Sequence, residues 1–413
     1  MTTLLLLVAF LYLAVSFLRG AVNLANLRHA RAGGIPPEFR GVVDEEKFRR
    51  AQDYLGAQTR YGLVHQAVST AASVAFLLAG GFGLADDLAQ RFTAHPMGVA
   101  LLYFLFLAVL DQLLELPFSW HHTFVLEERF GFNRSTRKTF VADLLKGWLL
   151  GILLGGPLLA AIVWFFANGG PNAWLIAWGV FTAFQLLLTF LAPVLLMPLF
   201  NKFEPLPEGE LKSAIEAFAK RVDFRLQGIF TMDGSKRSSK ANAFFTGFGR
   251  FRRIVLFDTL VKQHSVPELV AVLAHEVGHF KCKHIPKQIA LSLASSFLLF
   301  WLFSALLSSD TLALDFGFRL PSVHAAFTMA FWFYAPFSLL SSLAVHWLSR
   351  KYEFEADQYA KETTNDAESL VAALRRLSVD SLSNLNPHPW KVTLDYSHPP
   401  VVHRLRALRG ERT

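Results

Sequence analysis

Cysteine and charged residues are scarce in this sequence, and each shortage excludes a class of protein. The 413 residues include one cysteine, Cys282, so no disulfide bond can form within the chain. Charged residues account for 17% of the sequence, whereas soluble domains contain roughly 25%. Hydrophobic residues account for 53%, and several apolar runs approach the ~20 residues that cross a bilayer. We therefore expect a membrane protein.

The apolar runs predict seven transmembrane helices. The predicted spans are residues 3–18, 62–84, 97–118, 141–166, 174–197, 288–308 and 324–348. No basic segment precedes the first run, which favours an uncleaved anchor over a cleaved signal peptide. The sequence shows no internal repeat and no low-complexity tract, so repeat architectures are not expected.

The distribution of basic residues predicts the orientation of these spans. Lys and Arg are concentrated after the first and third predicted spans, whereas the loops on the opposite side contain only Arg91 and Arg319. Because basic residues favour cytoplasmic loops, we expect the amino terminus outside and the large polar segments inside. The net charge of +8 follows this topology, so we expect no nucleic-acid binding.

The predicted spans divide the chain into four parts. Residues 1–197 carry spans one to five, and residues 288–348 carry spans six and seven. The polar segments 198–287 and 349–413 are expected to meet at one membrane face. In the first of them, an amphipathic pattern from Glu210 to Val222 predicts a helix beside several short strands. A small β-sheet next to a helix is therefore expected in the cytoplasm.

The segment HEVGH carries the clearest chemical signal. Ser265 and Glu268 form a capping-box pattern ahead of the run LVAVLAHEVGH, which predicts a helix. At 3.6 residues per turn, His275 and His279 then share one face, where both imidazoles can bind a single Zn²⁺ ion. Glu276 lies beside them and can act as general base, then acid, for a water that the metal activates. The pattern also arises by chance, but its place at the end of a capped helix favours a zinc site.

A catalytic zinc ion usually has three protein ligands and one open position, so a third ligand is expected. The segment SRKYEFEADQYAK continues the last span and places Glu353 and Asp357 four residues apart on one helix face. Glu353 could bind zinc, and Asp357 could orient a ligand histidine through a hydrogen bond. Glu355 points to another side of the helix. Spacing alone leaves it open as the alternative ligand.

Other polar residues carry weaker signals. Asp111 and Glu115, four residues apart in the third span, are costly in lipid and should face a cavity or a partner, unless they lie at the membrane interface. His284 has no matching partner in the pattern and is expected on the surface. His398 and Arg404 could each donate to a substrate carbonyl or to developing negative charge, or could be structural.

Several unlinked segments resemble the integral-membrane zinc peptidases typified by the CaaX prenyl protease type 1. These segments are LPFSWHHTFVLEERFGFNRST, APVLLMPLFNKFEPLPEGEL, ANAFFTGFGRFRRIVLFDTL, LAHEVGHFK, YEFEADQYA and SHPPVVHRLRAL. The resemblance implies a predominantly α-helical multi-pass membrane protein, with seven helices around a large chamber. It also implies a gluzincin-like zinc protease domain with a small β-sheet on the cytoplasmic side.

The resemblance also implies the residues of the site. One zinc ion per chain would be held by His275, His279 and Glu353. The catalytic glutamate would be Glu276, and the companion acid would be Asp357. Asn242 and His398 would lie near the substrate backbone, with Arg404 close by.

The activity known for this family is removal of the last three residues from a farnesylated CaaX protein, and a second cut in a lipidated precursor. The expected partner is thus a peptide or protein, lipidated or embedded in the bilayer. The use of Ala, Leu, Gly and Arg in this sequence is typical of bacteria, where CaaX prenylation is generally absent. We expect a bacterial inner-membrane protease that cuts either prenylated termini or misfolded membrane proteins. A transporter and a zinc-bearing scaffold are the alternatives, but neither explains HEVGH and EFEAD.

Overall fold

The computed structural model describes residues 3–246, 253–307 and 309–411 and is predominantly helical. Within these residues, seven helical stretches are long and apolar enough to cross a membrane. They are Thr3–Ala32, Glu45–Leu78, Pro96–Glu127, Arg137–Asn168, Gly170–Phe200, His284–Leu306 and Val323–Thr364. The predicted number of spans is therefore confirmed, although most of the helices extend beyond the predicted ends. The division of the chain into four parts stays a prediction.

The amino-terminal half is built from helices only. In chain order they are α1 (Thr3–Ala32), α2 (Glu45–Leu78), α3 (Gly81–Phe92), α4 (Pro96–His121), α5 (Arg137–Leu150), α6 (Gly156–Asn168), α7 (Ala173–Leu191) and α8 (Met197–Phe200). Three π-helical turns, His122–Glu127, Gly151–Gly155 and Ala192–Leu196, interrupt the third, fourth and fifth spans. Such turns widen a helix locally and are frequent at functional sites.

The carboxyl-terminal half combines helices with a small sheet. Its helices are α9 (Glu210–Arg221), α10 (Asp258–Gln263), α11 (Val266–Lys281), α12 (His284–Leu306), α13 (Asp310–Asp315), α14 (Val323–Thr364), α15 (Ala367–Asp380), α16 (Pro389–Asp395) and α17 (Val401–Arg409). Its strands are β1 (Phe203–Pro205), β2 (Gly228–Met232), β3 (Ala243–Thr246) and β4 (Arg253–Phe257). The sheet order is β1-β2-β4-β3, with β2 and β4 parallel and the other pairs antiparallel.

The expected helix and sheet of the polar segment are confirmed. The helix predicted from Glu210 to Val222 is α9, and the sheet packs beside it in one hydrophobic core. Buried residues of this core include Ile215 of α9, Leu256 of β4 and Leu269 of α11. β3 lies at one edge of the sheet, in register with β4 through Phe244 and Val255. The core therefore holds α11 and an edge strand together in one unit.

Two local features of α11 position the chemistry. Its capping box is present, because Ser265 N donates to Glu268 Oε2 at 2.8 Å and Ser265 in turn caps the first turn. Further along, a Cβ atom added to Gly278 would come within 3.0 Å of backbone atoms of Ala356 in α14. Only glycine permits this approach without displacement of a helix. The end of α11 is thus packed directly on the polar end of α14.

A cavity between the spans receives a polar residue from the third span. It has a volume of ≈ 470 Å³ and is lined by residues of α1, α2, α3, α4 and α14, including Tyr12, Asp111 and Trp332. We call it the chamber cavity. Glu115 is paired with His65 of α2 at 2.6 Å. Asp111 and Glu115 thus face a cavity and a partner, as expected for carboxylates in a membrane span.

Candidate metal centre

Three side chains from α11 and α14 bring possible ligand atoms close together. His275 Nε2 and His279 Nε2 are 3.1 Å apart. Glu353 places Oε2 at 3.5 Å from His275 Nε2 and Oε1 at 3.3 Å from His279 Nε2. Around a tetrahedral zinc ion with ligands at about 2.0–2.1 Å, neighbouring ligand atoms lie roughly 3.3 Å apart. The arrangement therefore has the dimensions of a zinc site, and Glu353, not Glu355, is the carboxylate that joins the two histidines.

The surroundings of Glu353 also fit a bound cation. The residue is 4% exposed, and its Oε2 accepts no hydrogen bond from the described residues. Arg404 Nη1 lies 3.2 Å away as an ion-pair partner. A buried carboxylate oxygen without a hydrogen bond costs about 1–3 kcal/mol or more. A divalent cation held by both histidines and this carboxylate would remove that cost.

Asp357 contacts His275, the first of the predicted histidine ligands. Its Oδ1 lies 2.8 Å from His275 Nδ1, and the residue is 2% exposed. With the proton on Nδ1 donated to Asp357, the lone pair of Nε2 points toward the metal position. Arg404 completes the group by donating to both oxygens of Asp357, from Nε at 2.8 Å and Nη2 at 2.6 Å. These contacts support the structural alternative for Arg404, since its donors are occupied by acids.

His279, the second of the predicted histidine ligands, contacts a residue that we expected on the surface. His279 Nδ1 lies 2.9 Å from His284 Nδ1, and His284 Nε2 lies 2.9 Å from Glu355 Oε2. His284 is 1% exposed and stacks on Tyr352 with ring centroids 4.1 Å apart. The surface prediction for His284 was wrong. We call the chain His279, His284, Glu355 the histidine relay.

The error has a local cause. Lys283 adopts a left-handed conformation with φ +58°, so the chain reverses between α11 and α12. This reversal brings His284 back against His279, although the two residues are not on one helix. The signal was present as a third histidine five residues after HEVGH. Helical spacing does not apply across such a turn.

Glu276, the predicted catalytic glutamate, faces a cavity beside the predicted ligands. The cavity has a volume of ≈ 230 Å³, and its lining includes Asn242, Glu276, Glu353 and His398. Burial raises the pKa of the Glu276 carboxyl, and the nearby histidines oppose this shift. His398 Nε2 lies 3.3 Å from Glu353 Oε1. The residues predicted from four separate segments are therefore brought together around one space.

A second cluster, not predicted from the sequence, holds the segment that leads into β3. Lys240 Nζ donates to Glu127 Oε2 at 2.8 Å and to Tyr54 OH at 2.8 Å. Two residues further on is Asn242, which lines the cavity. A salt bridge from Arg237 to Asp143 at 2.7 Å adds a second attachment. The membrane helices thus fix the position of the edge strand.

Comparison with known proteins agrees with this geometry. A model of the CAAX prenyl protease N-terminal region, with five membrane helices, matches residues 24–202. A model of peptidase family M48 matches residues 205–412. The chain belongs to peptidase family M48. It is therefore an integral, multi-pass membrane metalloendopeptidase, and the resemblance found in the sequence is confirmed.

Individual relatives of this M48 peptidase align over nearly their whole length. The CAAX prenyl protease 1 homolog of Oryza sativa subsp. japonica is 37% identical, covering 91% of this chain and 90% of the relative. The CAAX prenyl protease 1 of Saccharomyces cerevisiae is 35% identical, covering 91% and 88%. The crystal structure of S. mikatae Ste24p matches with a TM-score of 0.95 at 30% identity, covering 99% of both chains. These matches do not favour a transporter or an inactive scaffold.

Proposed function

We propose that this M48 peptidase cuts peptide bonds with one zinc ion held by His275, His279 and Glu353. The observation that carries the proposal is the 3.1–3.5 Å spacing of the two histidine nitrogens and the Glu353 carboxylate oxygens, which suits tetrahedral Zn²⁺ with two nitrogen ligands and one carboxylate. Bound there, zinc supplies a Lewis acid that polarises the scissile carbonyl and acidifies the attacking water.

Glu276 is proposed as the group that moves the proton. Its carboxylate takes a proton from the attacking water as the new C–O bond forms. It then passes that proton to the leaving nitrogen as the C–N bond breaks. The raised pKa of Glu276 in its buried position supports both roles, because it makes the carboxylate a stronger base in the first step and keeps the proton on the carboxyl for the second.

The other site residues are proposed to position groups. Asp357 orients His275, and Arg404 holds Asp357 and balances its charge. The histidine relay orients His279, so we add His284 and Glu355 as positioning residues. Asn242 and His398 line the cavity beside Glu276 and are placed to donate to the substrate backbone. The free edge of β3 can pair with an extended peptide.

The proposed substrate is a peptide with a lipid or strongly apolar part. Relatives that align over about nine-tenths of this chain carry the name CAAX prenyl protease 1, and the chamber cavity is lined largely by apolar residues such as Phe76, Phe331 and Trp332. Prenylated carboxyl termini fit best. Misfolded membrane proteins are the second candidate class.

We propose that the protein lies in a bacterial inner membrane with the metal centre in the cytoplasm. The amino-acid composition supports a bacterial source. Basic residues are concentrated on the metal-centre side of the spans, which supports a cytoplasmic position for that side. The lipid bilayer is then a binding partner of the protein in addition to the peptide substrate.

The test combines metal analysis with cleavage. Wild type, Glu276→Gln and Glu353→Ala are purified and supplied with a farnesylated CaaX peptide and the same peptide without the lipid. We expect one zinc per chain in wild type and in Glu276→Gln, less in Glu353→Ala, and cleavage of the lipidated peptide by wild type alone. Equal cleavage of both peptides would favour the second substrate class, and absence of zinc from wild type would contradict the proposal.

A further inference from the structure

A further cavity lies between two spans and away from the metal centre. Its volume is ≈ 520 Å³. It is lined by one face of α2 and by the end of α4 with the π turn that follows, namely Ala57, Arg60, Tyr61, Val64, Pro117, Phe118, His121, Val125, Leu126 and Arg129. No residue of the proposed mechanism belongs to this lining. We call it the outer groove.

The outer groove opens on the bilayer side of α2. Gln66 of α2 donates to Ser16 of α1, while His65 contacts Glu115 of α4, so α1 and α4 flank α2 on two sides. Ser73 of α2 lines the chamber cavity. Val64 precedes Ser73 by nine residues, which is about two and a half helical turns. Val64 therefore points away from the chamber.

The groove lies at the membrane face that carries the metal centre. Tyr54 of α2 contacts Lys240 of the protease unit at 2.8 Å, and Arg60 follows six residues later, about 9 Å along the helix. Val64 is one turn deeper in the span. On the other wall, Arg129 is closest to the protease unit, and Val125 is one turn deeper. The basic end is thus at headgroup level and the apolar end lies in the hydrocarbon.

The basic end holds two arginines with free donors. Arg60 Nε donates to Gly56 O at 3.3 Å, and the Arg129 guanidinium lies 5.5 Å from the ring of Phe130. Among the described residues neither forms a salt bridge, and the groove lining contains no carboxylate. The deeper walls expose hydrocarbon, with Val64 58% and Val125 49% exposed. The groove therefore suits a molecule with an anionic head and an apolar chain.

We propose that the outer groove binds one anionic glycerophospholipid of the surrounding leaflet. Its phosphate would lie between Arg60 and Arg129, because guanidinium groups bind phosphate oxygens by paired charge-assisted hydrogen bonds. An acyl chain would cover Val64, Phe118 and Val125. A free phosphate would leave this hydrocarbon uncovered, and a choline headgroup would bring a third cation to the arginines.

The site has a structural connection to the protease unit. The lipid would pack on the outer side of the π turn His122–Glu127, whose Glu127 holds Lys240 on the inner side. We therefore expect the bound lipid to raise the thermal stability of the purified protein.

The test is native mass spectrometry of the protein in detergent with phosphatidylglycerol, phosphatidylcholine or inorganic phosphate. Wild type is compared with R60Q/R129Q and with the control R49Q/R134Q. The control removes the same charge from exposed arginines on the same membrane face, outside the groove. Cleavage of the model peptide checks that each variant is folded.

We expect wild type and the control to retain one phosphatidylglycerol about tenfold more tightly than phosphatidylcholine, and R60Q/R129Q to lose this preference. Inorganic phosphate at the same concentration should not displace the lipid. Equal retention of the two lipids by wild type, an equal loss in both double variants, or displacement by inorganic phosphate would each overturn the proposal.

Discussion

Removal of His284 should weaken zinc binding although His284 does not contact the metal. With Nε2 of His279 on the metal, its Nδ1 must carry the proton. That proton is donated to His284 Nδ1 at 2.9 Å, which leaves His284 Nε2–H to donate to Glu355 at 2.9 Å. The three residues therefore have a single consistent set of proton positions. His284→Ala removes the acceptor and frees the ring of His279 to rotate.

The size of the effect follows from burial. Loss of a partner that orients a metal-bound histidine costs about 10–100-fold in metal affinity, or about 1.4–2.7 kcal/mol. His284 is 1% exposed, so water reaches the vacated position poorly, and we expect the upper half of that range. The side chain of Glu355 is 35% exposed. Water can replace it, so Glu355→Gln should cost about tenfold or less.

The assay is competition for zinc with a chelator of known affinity. His264→Ala is the matched control, because His264 is also buried and lies 3.4 Å from a glutamate, Glu268, but does not contact a ligand. Both alanine variants should unfold at a lower temperature, and only His284→Ala should lose zinc more readily. His284→Asn should restore part of the affinity by accepting from His279. A zinc affinity of His284→Ala within about twofold of the control would refute the relay.

Three further outcomes are expected. Glu276→Gln should keep its zinc and lose about 10²-fold or more in kcat, the usual cost of a positioned acid and base; unchanged turnover would contradict that role. Lys240→Met should raise KM for the peptide without loss of zinc, because it frees the segment before β3; a lower metal content instead would contradict this. Arg406→Gln should lower Tm at pH 7, since Arg406 lies 2.6 Å from the buried Glu38. Burial alone would raise the pKa of Glu38, but a backbone hydrogen bond and Arg406 lower it below its ordinary value. The stabilisation is therefore present above that ordinary pKa and is lost as pH falls through the lower one, so the difference in Tm should shrink between pH 7 and pH 3.

Local periodicity explains why the sequence could point to these candidate ligands. His275 and His279, and likewise Glu353 and Asp357, are four residues apart on helices that continue without a break. A regular helix brings such pairs onto one face whatever the rest of the fold does. The capping box of α11 was also predictable, because its two residues lie three apart within one turn.

Contacts across elements were not predictable in this way. Lys240 meets Glu127 from a distant part of the chain, and His284 meets His279 only because Lys283 reverses the chain. β1 was also missed, because its three residues, Phe203–Pro205, carry too short a pattern. Each of these depends on a turn or a long-range contact that periodicity does not describe.

By itself the sequence determined the seven spans, the helix that presents two histidines and a glutamate, and the acidic helix face of Glu353 and Asp357. These features follow from the length of the apolar runs and from the 3.6-residue repeat of the helix, and both depend only on residues that are neighbours in sequence. Only the tertiary structure decided that Glu353 rather than Glu355 joins the histidines and that His284 is buried behind His279. It also decided that Arg60 and Arg129, which form no salt bridge within the described part of the chain, share the outer groove. Those outcomes depend on how helices distant in sequence pack against one another, which is set by the shape of the whole core.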